Sequence, residues 1–471
     1  MKNSVTQANQ IPKAAPAPKT NPALQIKYIN PLDDVRRYPL TDLGAGYLFA
    51  DTYKNYLRFV TDNGKWFFYD GIRWQVDIQD IRVNQCAKEL VTYLDSIDEL
   101  TEFVEKLSKQ SGRKIMINDA RSVYPLSLAD FDTNVNLINC LNCTYDLLEM
   151  KPHPHRAEDL ISKVANVMYD PNAKCERFVA FIDQVMCGDS EISDYLQKSL
   201  GYILTGDTSH DCMFIFYGPT TRNGKGTLID PVYHLMNDYA KNVQPNSLAK
   251  QKTDSNSHSS DIARLVGARF VNASELPDDL KLNAALVKQL TGGDMLTVRN
   301  IYGSFFEYKP QFKIFINTNH LPEITDDTLF SSGRLKLIPF DRHFSDAEQD
   351  RTLKSTFREP ENVSAIFNWQ LEGYARFRSE GLAPPKRVEE LLLEYRKDCD
   401  SVKLFIDSCM VEHADAEPIK TKDVHFAYVQ FCKNQGIREL ALKTFVQTLR
   451  RKNLVGKDRI KGNVVKGYIL Q

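Results

Sequence analysis

Between positions 213 and 236 an uninterrupted apolar stretch, Met213-Phe214-Ile215-Phe216-Tyr217, runs through Gly218-Pro219-Thr220-Thr221-Arg222-Asn223-Gly224-Lys225-Gly226-Thr227 into a segment of helical spacing, Leu228 to Met236. No other part of the chain restricts its fold as strongly. A buried strand, a glycine-rich turn with a lysine and a following helix let backbone N–H groups turn inward around an anion, and the helix N-terminus adds its dipole. In that setting Lys225 reaches the β and γ phosphates of a nucleotide. Gly218, Asn223, Gly224, Lys225, Gly226 and Thr227 are the candidate nucleotide contacts. The loop is one residue longer than the minimal pattern, and Gly226 stands where a Ser or Thr usually ligates magnesium. Thr227, one position later, is therefore the candidate Mg2+ ligand, with water in place of the hydroxyl as the alternative. A glycine-rich turn with an exposed lysine is the plain alternative, and the flanking strand and helix weigh against it.

Other strands for the same sheet can be read from the apolar spacing. Candidates lie at 212–217, 269–273 and 312–316, separated by helical segments such as 283–289, which is the rhythm of an α/β domain. Nucleotide hydrolysis needs a carboxylate at a strand end to activate water. The second strand ends at Ser274-Glu275, which puts Glu275 beside the loop if the two strands are neighbours. Ser274 stands where many such sites have a further acid, and a solvated strand-end charge is the plain reading of Glu275. The third strand ends in Asn317-Thr318-Asn319, where a side chain could orient the attacking water; turn chemistry explains those asparagines equally. Arg334 precedes one more apolar strand and could reach the γ-phosphate held by a neighbouring subunit. Taken alone it reads as a surface charge.

The remaining sequence sets the frame. A chain of 471 residues, 42% hydrophobic and 10% aromatic, has room and apolar content for roughly three domains. Lys and Arg total 60 against 61 Asp and Glu, so the whole molecule is not a polycation that coats nucleic acid. Nine scattered cysteines fit a reducing compartment rather than a disulfide scaffold. Residues 1–30 read as a disordered tail, and no apolar run is long enough to span a bilayer, so a soluble protein without membrane contact, in the cytoplasm of a host cell, is expected. A hairpin around Asp70-Gly71, helical spacing over 85–108 and a strand-rich stretch at 136–148 indicate a mixed domain over 31–174. Two helices over 175–206 lead into the α/β domain, 207–380.

Beyond Gly381, a charged helix from Lys386 leads into a last region, the whole covering 381–471. From Arg438 to the end, nine basic side chains face only Glu439 and Asp458, a local excess of seven positive charges. Leu442, Phe445, Val446 and Leu449 form an apolar helical stripe, with Lys443, Gln447, Arg450 and Arg451 off it; 454–470 alternates like a hairpin around Gly462-Asn463. Helix, basic helix and β-wing is the order of a winged helix that grips duplex DNA, and a solvated basic face is the alternative. Cys140 and Cys143, with His153 and His155 downstream, have zinc-like spacing, but a strand-end turn with two free thiols is favoured.

In order, these pieces resemble the superfamily 3 helicases of the phage and plasmid primase-helicase type, with poxvirus primase-helicases as relatives. The resemblance rests on Leu200-Gly201-Tyr202-Ile203-Leu204-Thr205-Gly206-Asp207, Asn223-Gly224-Lys225-Gly226, Leu286-Val287-Lys288-Gln289-Leu290-Thr291-Gly292-Gly293-Asp294, Asn317-Thr318-Asn319-His320-Leu321-Pro322 and Arg334-Leu335-Lys336-Leu337-Ile338-Pro339-Phe340. It implies a P-loop AAA+-like core of α/β class with a mixed α+β N-terminal domain, a helical collar and a C-terminal winged helix. It further implies a hexameric ring that hydrolyses ATP with Mg2+ between subunits and moves 3′ to 5′ on single-stranded DNA. By resemblance Lys225 is the phosphate lysine, Glu275 the catalytic acid, Asn319 the sensor and Arg334 a finger given in trans. Thr297 to Lys309 resembles the channel hairpin; Ser304 takes a tip position where relatives often carry lysine, so Arg299, Lys309 or backbone amides are its DNA-contact candidates. Relatives commonly carry a primase domain for which the residues ahead of this one leave no room, so priming would fall to a separate primase.

Overall fold

The computed structural model describes residues 35, 37–250, 257–277, 280–299, 305–413, 415–436, 439–458 and 460–470, without the side chains of 257–259. The expected tail and the hairpin-tip Ser304 lie outside them. The chain divides into two units: one runs to Lys174 and adds His234–Tyr239 and Arg358–Asn368, the other holds Cys175–Tyr233, Ala240–Phe357 and Trp369–Gln471.

In the first unit β1 (Leu57–Val60), β2 (Lys65–Tyr69) and β3 (Trp74–Val76) form an antiparallel sheet, and β4 (Leu137–Asn139), β5 (Thr144–Asp146) and β6 (Lys151–His153) form another. Asp70 makes the turn between β2 and β3 by accepting from the Ile72 and Arg73 amides at 2.8 and 2.7 Å. The stretch expected as helical, 85–108, is two helices, Ile81–Leu94 and Thr101–Ser108, because the polar Asp95-Ser96 and Asp98-Glu99 interrupt the apolar stripe. Cys140 and Cys143 are buried free thiols in the β4–β5 turn, where the Cys140 amide donates to the Cys143 carbonyl at 2.8 Å. The nearby histidines turn to local acceptors, His155 Nδ1 lying 2.8 Å from Asn139 Oδ1 and His153 Nδ1 2.8 Å from the Pro154 carbonyl.

The second unit contains β7 (Met213–Tyr217), β8 (Ala240–Asn242), β9 (Phe270–Ser274), β10 (Leu296–Arg299), β11 (Phe305–Tyr308), β12 (Lys313–Thr318) and β13 (Leu335–Pro339). Five of these make a parallel sheet in the order β13-β7-β12-β9-β8, while β10 and β11 pair as a separate hairpin. Helices on the connections bury the strands, which is why they read as near-continuous apolar runs rather than alternating ones. Ahead of the sheet, helices Glu176–Val185 and Ser190–Tyr202 pack within the same unit. Gly201 lies so close to helix Pro360–Glu380 that an added Cβ would collide with the backbone of Gly373 and Tyr374.

Two buried cations sit where the strands begin. Arg269 and Lys313 donate to the carbonyls of Leu204 and Thr205, just past the end of helix Ser190–Tyr202, and Lys313 Nζ lies 4.2 Å from the centre of the Tyr202 ring. Burial drives the Lys313 ammonium well below its usual range. Nothing in the apolar pattern signals this pair, since both residues sit at strand starts where a charge normally meets water.

The last segment has helices Lys386–Cys399, Ser401–Cys409, Thr421–Gln435 and Leu442–Arg451, with β14 (Met410–Glu412), β15 (Ile419–Lys420), β16 (Val455–Asp458), β17 (Gly462–Val465) and β18 (Tyr468–Leu470). One expectation is corrected here. The turn lies between Asp458 and Gly462, with Asp458 Oδ1 accepting from the amides of Ile460 and Lys461 at 2.9 and 2.8 Å, so Gly462 opens a strand. The chain end, β18, leaves that hairpin and pairs with β14.

Candidate nucleotide site

Parallel strands end together, so the carboxyl ends of β7, β12 and β9 bring Tyr217, Thr318 and Ser274 to one edge of the sheet. β12 lies between β7 and β9, so the strands carrying the loop and Glu275 are not neighbours. What touches Lys225 is therefore Asn319, at the end of the intervening strand.

The loop turns through left-handed conformations at Arg222 (φ 58°) and Gly224 (φ 85°) before helix Lys225–Met236 begins. A Cβ at Gly224 would also meet Val185 Cγ2 at 2.5 Å, so glycine is required there on two counts. Asn223, buried, spans the loop by donating from Nδ2 to the carbonyls of Gly218 and Thr220. Lys225 is 5% exposed and donates to Asn319 Oδ1 at 2.6 Å and to the Gly218 carbonyl at 3.2 Å. Both acceptors are neutral. Burial lowers the ammonium from 10.5 to about 8. A buried cation beside a glycine-rich turn, with no counter-charge among the described residues, fits a phosphate group as its missing partner.

A strap after β13 braces the loop. The Phe340 amide donates to the Tyr217 carbonyl at 2.7 Å and the Phe344 amide to Arg222 at 2.9 Å; His343 Nδ1 lies 2.9 Å from the Thr221 carbonyl, and Arg222 pairs with Asp346. Phe357, where the strap ends, packs edge-on against Phe178 with ring centres 5.3 Å apart.

Glu275 lies at the same sheet edge as Lys225, one strand beyond Asn319; it is exposed, with φ 58°, and its amide donates to the Asn317 carbonyl at 3.2 Å. Ser274 Oγ accepts from Asn272 Nδ2 at 2.9 Å. Thr227 is half-buried in the first helical turn and Gly226 is exposed. Among the described residues no group of three or more His, Cys, Asp or Glu side chains could hold a metal ion. A magnesium ion at this edge would depend on phosphate oxygens and water, with Thr227 and Glu275 as the candidate protein oxygens expected from the sequence.

Arg334 stands apart from these. It precedes β13, and its carbonyl accepts from the Met213 amide at 2.8 Å, so it marks the opposite edge of the sheet, a strand length of roughly 16 Å away. Its guanidinium is held at 2.8 Å from Thr291 Oγ1 and 2.9 Å from Asp211 Oδ2. Those two holders had no signal in the sequence, because the contacts cross 43 and 123 positions.

The basic candidates are all on the surface. Arg299 and Lys309 are exposed beside the β10–β11 hairpin, with the Arg299 guanidinium 5.4 Å from the centre of the Phe305 ring. Lys443, Gln447, Arg450 and Arg451 are exposed on helix Leu442–Arg451, whose Phe445 and Leu449 are buried; Arg450 donates to Asn463 Oδ1 at 3.1 Å.

Three family models match successive parts of the chain: "D5 N terminal like" over residues 46–187, a "Family of unknown function (DUF5906)" over 216–334 and "Poxvirus D5 protein-like" over 397–469. Among curated proteins, "Putative helicase L207/L206" of Acanthamoeba polyphaga mimivirus is 25% identical over 395 residues, covering 74% of this chain and 41% of its own length. "Putative helicase 022R" of Frog virus 3 is 24% identical over 256 residues, 51% of this chain and 26% of its own. These matches make the chain similar, over successive segments, to D5-type viral proteins and to viral putative helicases, and they support the superfamily 3 primase-helicase resemblance. The chain spans about two fifths of the mimivirus relative and about a quarter of the frog-virus one. The solved C-terminal region of NrS-1 is 13% identical, covers 87% of this chain and 95% of its own, and superposes with a TM-score of 0.47. Among the described residues no helix is long and apolar enough to cross a membrane.

Proposed function

We propose that this chain is the ATP-driven motor of a replicative DNA helicase of a phage, plasmid, virus or related mobile element, acting as a ring with 3′ to 5′ polarity. The observation that carries the reading is Lys225, a buried ammonium with neutral partners at the carboxyl edge of a parallel sheet. ATP is the substrate that supplies the counter-charge. As its phosphates enter, Lys225 exchanges the Asn319 amide for phosphate oxygen, and Asn319 Oδ1 is released to accept a hydrogen bond from the attacking water. Glu275, exposed at the same edge, takes that water's proton. Magnesium, when bound with the nucleotide, neutralises charge on the β and γ phosphates.

Arg334 lies a strand length from Lys225 of its own chain, which suits a finger for the neighbouring subunit's nucleotide, with Asp211 and Thr291 aiming it. The β10–β11 hairpin with Arg299 and Lys309 would follow single-stranded DNA through the ring. The C-terminal segment, with helix Leu442–Arg451 and the β16–β17 wing, is read as a winged helix placing Lys443, Gln447, Arg450 and Arg451 against duplex DNA. By the same reading residues 31–174 are the helicase-associated domain and 175–206 the collar, and a separate primase is a partner.

Strand displacement on tailed duplexes tests the activity. Wild type should displace from a 3′-tailed and not a 5′-tailed substrate, and Lys225→Ala should displace neither. ATP hydrolysis without displacement on either tail would overturn the helicase reading and leave a second one, an ATP-regulated DNA-binding initiator or loader. Gly226 and Ser274, which remove two customary magnesium-holding groups, favour that second reading. The finger has its own test: Arg334→Ala and Glu275→Gln subunits, each inactive alone, should regain ATPase on mixing, because a mixed interface can combine an intact finger with an intact acid. No recovery at any ratio would exclude action in trans.

A further inference from the structure

The vacancy at Gly226 has a neighbour. A Cβ built there has one atom within 4 Å outside its own surroundings, the Nζ of Lys354 at 3.9 Å. Lys354 lies 128 positions further along, on the short helix Leu353–Thr356 of the strap that braces the phosphate loop. The strap is rich in charge, and its acids are already engaged: Asp341 by Arg387, Asp346 by Arg222, Glu348 by Arg342 and Asp350 by Arg177. Lys354 is exposed and has no acidic partner among the described residues. It is a free cation at the mouth of the loop, on the side to which the residue after Lys225 would direct a side chain.

In a loop with Ser or Thr at this place, the hydroxyl binds magnesium at about 2 Å, so the metal's two charges lie one bond and one such contact from the Cβ. Here the hydroxyl is missing and an ammonium occupies that range. We infer that Lys354 is a second phosphate-binding lysine, which binds the β and γ phosphates of the nucleotide from the strap and supplies part of the charge neutralisation that a hydroxyl-held metal gives elsewhere. The assignment rests on the loop being a nucleoside triphosphate site. Gly226 then has a positive role: without a side chain, the lysine has a clear path to the phosphates. Closure is built in as well, since a nucleotide held by Lys225 and Lys354 ties the loop to the strap.

Binding of mant-ATP to the full chain, read by fluorescence with saturating Mg2+ and with EDTA, tests this without reference to turnover. Lys354→Ala should weaken binding about tenfold in EDTA and less than about threefold in Mg2+, the loss expected for one charge-assisted phosphate contact. Lys354→Arg should stay within about threefold of wild type in both. Unchanged circular dichroism is expected, because the side chain is exposed and unpaired. If Lys354→Ala binds within about twofold of wild type in EDTA while Lys225→Met loses binding, the assignment is overturned and the loop remains the nucleotide site. If Lys225→Met binds as wild type does, the reading of the loop itself fails, and the Lys354 assignment with it.

Discussion

Replacing Lys225 by methionine is expected to abolish nucleotide binding, by about two orders of magnitude, while raising the melting temperature of the nucleotide-free chain. The two effects have opposite sign for one reason. Lys225 is buried with neutral partners, and its ammonium is lowered from 10.5 to about 8, which corresponds to about 3 kcal/mol against the charged form in the folded state. Between pH 8 and 10.5 the unfolded chain binds more protons than the folded one, so this residue makes stability rise with pH across that window; below pH 8 its full cost is present. Methionine keeps the bulk and removes the charge. In wild type, affinity for ATP should fall as the pH passes above about 8, because neutral Lys225 accumulates. Phosphate restores the charge, so binding near that pH should take up a proton, measurable by calorimetry in buffers of different ionisation enthalpy. A methionine variant that melts several degrees lower and still binds ATP would contradict the assignment.

A large stability loss is expected at Gly201. A Cβ there meets the backbone of Gly373 and Tyr374, and one at Gly373 meets the Gln197 backbone, so neither side can yield by a rotamer change. Gly201→Val should cost about 4 kcal/mol and lower the melting temperature by about 10 °C. Gly226→Ala makes a comparable chemical change inside a helix with only the Lys354 side-chain tip nearby, and should be neutral or slightly stabilising. Melting of Gly201→Val within about 2 °C of wild type would refute the crossing. The crossing matters for the site, because Leu204 and Thr205, which follow it, accept from Arg269 and Lys313 at the sheet edge that carries Arg334.

Much of the parallel-sheet region could be read in advance because its signals are local. A parallel strand buried on both faces has to be apolar throughout, and a loop that turns backbone amides inward has to place glycine at particular positions, so β7, β9, β12 and the 218–227 loop were legible. Helical spacing over 85–108 resolves into two helices, and the hairpin expected around Gly462-Asn463 turns before Gly462 instead, since Gly462 serves a strand as readily as a turn.

From the sequence alone, the chemistry available at one sheet edge was determined: a lysine, an acid and an amide at strand ends, with glycine where a hydroxyl is usual. Their arrangement was decided only by the tertiary structure. The order β13-β7-β12-β9-β8 inserts β12 between the loop and Glu275 and so gives Lys225 to Asn319. The same packing sets Arg334 at the far edge against Asp211 and Thr291, and brings Lys354 over Gly226. Strand order is chosen by how whole faces bury against one another, a sum over many long-range contacts, and no short stretch of residues encodes it.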